Sequence, residues 1–174
     1  VPGNAPLSAY RVEHYLDIAK KAEAAKLDAV FLADGPGLEP DLAYRPGNSF
    51  LPSVLLARIA AETERVGLIG TFSSSYNDAD ELAARLATLD AVSGGRFGWN
   101  VVTTAGAGAA ANFGRQGEPE HSARYSRASE VTARVISAWA GQTGAPTVLP
   151  SPQGRPVVVQ AGCLRDGIRL AREH

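Results

Sequence analysis

Methionine is missing from this 174-residue sequence, and cysteine occurs once, at Cys163. A lone cysteine excludes an internal disulfide and any cysteine-rich metal site, so the expected home is a reducing cytoplasm. With no methionine ahead of Val1, the natural N-terminus is expected to lie upstream. An excess of charge is also lacking: 17 basic residues face 18 acidic ones, for a net charge of −1, and no Lys/Arg run forms a stripe. That balance excludes nucleic acid and acidic lipid as partners recognised by charge. The sequence shows no signal peptide and no apolar run long enough to span a bilayer, so no membrane role is expected. No spacing matches a zinc site, a Walker loop or a nucleophile elbow, and no resident metal is expected either.

What is present is the making of one globular domain over residues 1–174, with 45% hydrophobic residues to fill a core. Helical and strand-like periods alternate along it. Val12, Tyr15, Leu16, Ala19 and Ala22 fall at helical spacing within residues 7–26, and 28–33 is a nearly unbroken apolar run. Residues 35–48 are too rich in Gly and Pro to be regular; 50–65 then reads as a helix and 66–71 as a strand. Asn77 or Asp78 caps a third helix with Leu82, Leu86 and Leu89 on one face, and the Ser93-Gly94-Gly95 turn leads into another strand. A helix over 121–140, a β-branched run over 156–160 and a helix over 165–173 complete the series.

Strands that are apolar on both faces and separated by helices indicate a parallel sheet in an α/β fold. Part of a (β/α)8 barrel and an open doubly wound sheet both satisfy the pattern, and both place ligand sites beyond the carboxyl ends of the strands. Polar residues break the apolar runs at that end: Asp34, Thr71, Asn100 with Thr103, and Gln160. The stretch 95–114, GRFGWNVVTTAGAGAAANFG, is the centre of the pattern, since its small side chains let a flat ligand approach the backbone. Asn100 stands out there because a buried carboxamide must find partners; residue type alone favours neighbouring backbone groups.

Two further features invite a ligand. The Gln160-Ala161-Gly162-Cys163 turn lies between a strand and a helix, where backbone N–H groups can meet a phosphate, or where Gly162 serves only a positive φ. His121 and Tyr125 share one face at the start of a helix, which disfavours a charged imidazole there.

Together these residues resemble the flavin-dependent monooxygenases of the bacterial luciferase-like superfamily, in the branch of nitrilotriacetate monooxygenase component A. The matching stretches are DAVFLAD from Asp28, VGLIGTFSSSYND, LATLDAVSGGRFGWNVVTT, ANFG ending at Gly114, H-x-x-R-Y over 121–125, and SPQGRPVVVQAG ending at Gly162. GRFGWNVVT with ANFG is the specific pair, and the matches run through nearly the whole chain in the family's order.

The resemblance implies a TIM-barrel enzyme that uses O2 and reduced FMN, the flavin being supplied by a separate NAD(P)H:flavin oxidoreductase, to oxygenate a small organic substrate. It implies that Asp34, Thr71 and Asn100 surround the isoalloxazine ring and ribityl chain, that His121 and Tyr125 contact the flavin, and that Gly162, Cys163 and Leu164 hold its phosphate. His121 is the candidate acid or base. The family carries serine in the turn after QAG, so Cys163 and Leu164 remove a hydroxyl donor, and the stretch from Trp139 to Ser151 is shorter than in relatives. About four strands is half of a barrel, which predicts a partial (β/α)8 fold that cannot close alone and pairs as a homo-oligomer. The alternative is a non-catalytic half-barrel that binds flavin or phosphate.

Overall fold

The computed structural model describes residues 10–36, 50–142 and 149–174. The chain runs α1 (Val12–Ala24), β1 (Ala29–Leu32), α2 (Pro52–Ala60), β2 (Gly67–Ser73), α3 (Ala79–Val92), β3 (Phe97–Val102), α4 (Ala107–Asn112), α5 (His121–Trp139), β4 (Val157–Val159) and α6 (Arg165–Glu173). Most of the irregular stretch expected over 35–48, with Arg45 in it, and the start of the first expected helix lie outside the described residues.

All strand pairs are parallel and the sheet order is β1-β2-β3-β4. This order decides between the two architectures. A doubly wound sheet reverses its strand order, whereas right-handed crossovers added in sequence put every helix on one face, as in an arc of a barrel. The helices follow suit, packing in one layer in which α1 meets α2, α2 meets α3, α3 meets α5 and α5 meets α6.

Strand alternation sorts the residues between the two faces. Val30, Leu32, Leu68, Phe72, Phe97, Trp99, Val101 and Val158 turn toward the helices and join Leu16, Leu56, Ile59, Leu82, Leu86 and Val135 in the core. Trp99 is fully buried, its indole Nε1 donating to the Phe72 carbonyl at 3.1 Å; burying such a ring contributes about 2–3 kcal/mol. Phe31, Ile69, Thr71, Ser73, Gly98 and Asn100 alternate with these, on the inner side of the arc.

Local chemistry sets the boundaries. Of the two expected caps, Asp78 does the work: its carboxylate accepts from the Asp80 and Glu81 N–H groups, while Asn77 Nδ2 donates back to Ser73 O at 2.8 Å. Gly94 and Gly95 turn the chain with φ of 67° and 81°, a conformation that other residues adopt at a cost. α4 was not expected from the Gly/Ala/Thr composition of its loop; Gly106, at φ 105°, starts a short run of alanines whose helix propensity prevails.

Candidate functional site

The loops beyond the carboxyl ends of the strands gather the polar residues, and they do so in two groups. Asp34 and Thr71 line a cavity of about 170 Å³ with Phe72, Ser73, Tyr76 and Phe113. Asp34 follows β1 and is half-buried; burial pushes its carboxyl above the usual carboxylate range, against the opposing pull of the Gly35 backbone N–H. Thr71 and Asn100 face each other across β2 and β3, being register partners.

Asn100 does not bond to the backbone, as residue type had favoured. Its Nδ2 donates to Thr71 Oγ1 at 3.0 Å, and its Oδ1, on a residue only 4% exposed, has no partner among the described residues. Ser75 Oγ, Tyr76 OH and Arg124 Nε are buried and unpartnered too. All four atoms belong to this end of the sheet. Native interiors pair nearly all buried polar atoms, so such a concentration marks a place shaped for something else to bind.

The second group stands at the start of α5 and α6. His121 Nδ1 lies 3.3 Å from Asp166 Oδ2, and the His121 and Tyr125 rings are 4.9 Å apart. The Tyr125 hydroxyl reaches the turn after β4: a Cβ on Gly162 would stand 3.3 Å from it and 3.0 Å from both amide atoms of the Gln160 side chain. Gly162 is thus closely packed by the ends of these two side chains and is not among the left-handed glycines. A Cβ on Gly167 would come within 2.7 Å of Gly162 O, so α6 presses its first turn directly against this backbone. The Gly162 N–H, a presumed phosphate donor, is already given to Gln160 Oε1. Cys163 and Leu164 are exposed, and Leu164 is the N-cap of α6 with no side-chain cap bond. The register joins the two groups, since Asn100 lies opposite Val159, one residue before Gln160.

Sequence reasoning missed the residues that hold the loops in place. Arg124, with a side chain 12% exposed, pairs with Glu118 and donates to Pro119 O at 3.0 Å, while Glu118 Oε2 accepts from the Gly106 N–H at 2.8 Å. The loop carrying α4 is thus tied to the first turn of α5. Arg127 reaches the Ser75 and Asn77 carbonyls, and Asn112 Nδ2 donates to Pro36 O at 2.8 Å. Tyr76 stacks on Phe113, with ring centroids 4.4 Å apart and planes within 9°. The aromatic in ANFG and the tyrosine just after β2 were the available signals. Among the described residues no group of three or more His, Cys, Asp or Glu could hold a metal, and no helix is long and apolar enough to cross a membrane.

The luciferase-like monooxygenase family matches residues 2–174. The chain belongs to that family. Among luciferase-like relatives, nitrilotriacetate monooxygenase component A of Aminobacter aminovorans is 35% identical, the alignment covering 98% of this chain and 47% of that protein. The solved EDTA monooxygenase of Chelativorans sp. BNC1 superposes with a TM-score of 0.86 at 35% identity, covering 95% of this chain and 47% of the other. Riboflavin lyase, solved with modified FMN and riboflavin, gives a TM-score of 0.84 at 29% identity over 98% of this chain and 47% of that one. This luciferase-like chain therefore spans about half the length of the relatives it matches, and its four strands are part of a TIM barrel.

Proposed function

We propose that this chain acts, within a single luciferase-like domain, as the flavin-binding part of a two-component monooxygenase that uses reduced FMN and O2 to oxygenate a small organic substrate. Asn100 carries the reading. Its buried Oδ1 lacks a partner among the described residues on the inner face of the arc, beside Thr71, which lines one cavity with Asp34, a carboxyl whose pKa burial raises. An orphaned acceptor at the carboxyl ends of barrel strands suits a ligand rich in N–H and O–H groups.

The residues fit a flavin. Asp34, Thr71 and Asn100 would surround its ring and ribityl chain, and His121 and Tyr125 would contact it from the start of α5. In the Gly162, Cys163 and Leu164 turn, the phosphate would fall to the N–H groups of Cys163, Leu164 and the first turn of α6, because Gly162 donates to Gln160. When bound, the reduced flavin supplies the electrons that activate O2. The chain's own part is to orient it, to keep water out with the Tyr76–Phe113 wall, and to move a proton at His121, whose ring Asp166 orients. A separate NAD(P)H:flavin oxidoreductase would deliver the flavin in the cytoplasm, and the protein would work as a homo-oligomer.

Anaerobic titration with photoreduced FMN tests the proposal. Saturable binding is expected, weakened about tenfold in Asn100→Ala, as befits one lost hydrogen bond in a dry site. No binding at high micromolar flavin would overturn it. Binding without oxygenated product, when a flavin reductase is present, would leave a non-catalytic flavin-binding half-barrel in its place.

A further inference from the structure

His121 meets a carboxylate that a different helix delivers. Asp166 stands in the first turn of α6, and its Oδ2 lies 3.3 Å from Nδ1 of His121 at the start of α5. The other carboxylate oxygen, Oδ1, is 3.5 Å from the Arg169 guanidinium one turn along α6, which leaves Oδ2 for the imidazole. Packing fixes where this carboxylate stands. α5 packs on α6, and a Cβ on Gly167, the residue after Asp166, would come within 2.7 Å of Gly162 O. The Tyr125 ring lies against the imidazole, with centroids 4.9 Å apart and planes tilted by 42°.

This contact decides where a neutral imidazole keeps its proton. An imidazole without a partner favours Nε2–H, whereas a carboxylate only accepts, so the ring nitrogen facing it carries the hydrogen. Asp166 Oδ2 therefore selects Nδ1–H and leaves a lone pair on Nε2. The His121 side chain is still 48% exposed, which keeps that nitrogen within reach of a ligand.

We propose that Asp166 is a positioning residue that holds His121 as the Nδ1–H tautomer and so makes it a base, with Nε2 able to accept from a ligand N–H or O–H group. The proposal rests on reading the start of α5 as part of the flavin site. It goes further in deciding between the two roles open to His121 and in naming the group that decides. In the step itself Nε2 takes the proton, the donor atom keeps the electron pair of the broken bond, and the imidazolium that forms stands against the Asp166 carboxylate.

Two-bond 1H–15N correlation spectra of the histidine rings test this on the 174-residue chain, in buffer alkaline enough for the rings to have stopped titrating. His121, identified by the signal lost in His121→Gln, should be Nδ1–H in the parent. Asp166→Ala should convert most of it to Nε2–H. Asp166→Asn, whose carboxamide oxygen still accepts, should keep Nδ1–H. The signals of His14, in α1, should stay in place in both variants and so report an intact fold. Saturation with photoreduced FMN under anaerobic conditions should shift the Nε2 signal of the parent while Nδ1–H persists.

A parent ring in the Nε2–H form, an Asp166→Ala ring that keeps Nδ1–H, an Asp166→Asn ring that behaves like Asp166→Ala, or an Nε2 signal unmoved at saturating FMN would each overturn the proposal. Flavin binding is read by absorbance on the same samples. An Nδ1–H ring in a chain that binds no FMN would sink the flavin reading and leave Asp166 in control of the tautomer. FMN binding to a parent in the Nε2–H form would do the reverse.

Discussion

The two ends of the sheet treat their polar groups in opposite ways. At the end where the strands start, Arg96, Asp90 and Glu23 are all answered. The Arg96 guanidinium donates to the carbonyls of Ser93, Thr63, Val66 and Ala60 and to Thr63 Oγ1. Asp90, fully buried, accepts from Ser151 Oγ and Gln153 Nε2, and Glu23 collects the successive N–H groups of Glu64, Arg65 and Val66. At the end where the strands finish, Asn100 Oδ1, Tyr76 OH, Ser75 Oγ and Arg124 Nε go without. One end is built to hold the chain together, and on the proposed reading the other gives up some of that stability to stay ready for a ligand, the division of labour common to barrel enzymes.

Substitutions should separate the two ends. The largest effect is expected for Arg96→Ala, which strips hydrogen bonds from several carbonyls at once: about 3 kcal/mol of unfolding free energy in a denaturant titration, with flavin affinity of the folded protein unchanged. A loss below about 1 kcal/mol would erase the contrast. Asn100→Ala should do the opposite, costing about a factor of ten in FMN affinity while stability moves by less than about 1 kcal/mol.

The pH responses should differ in sign. Asp34 has a folded pKa above its unfolded value of 3.8, so its contribution is greatest below that value and is lost as pH rises through the folded pKa. Asp34→Asn should therefore stabilise the free protein at neutral pH, with the gap closing in acid; no change between pH 3 and pH 7 would contradict this. Glu62, at the other end, is held at about 2 by the Lys20 side chain first and by Arg58 second. Its contribution is present above 4.5 and fades as pH falls from there toward about 2. Being exposed and screened by salt, this pair should give the smallest effect, seen as a slight difference between Glu62→Gln and the parent that high salt removes.

Local patterns were legible in the sequence. Period and composition placed the four strands, because each is a short apolar run bounded by turn residues, and Asn77 or Asp78 marked the start of α3, where Asp78 is the cap. Asn100 was conspicuous because a carboxamide among Phe, Trp and Val has few reasons to be there. Facts of arrangement were hidden. The choice between arc and doubly wound sheet depends on strand order, which the period of a strand does not encode. His121 meets Asp166 from 45 residues away, and Arg96 looks like one more loop arginine until the carbonyls around it are in place. The orphaned hydroxyl of Tyr76 is a property of its neighbours and leaves no mark on the sequence.

Strands laid down in sequence order, each helix packing mainly on the next, make the molecule a row of repeating βα units. Among the described strands such a row opens from its borders inward, so amide hydrogens of β1 and β4, each paired with one described strand, should exchange with solvent sooner than those of β2 and β3. The Thr71–Asn100 pair sits on the two inner strands. The groups with the strongest claim to a ligand are thus fastened to the part of the sheet that is last to open.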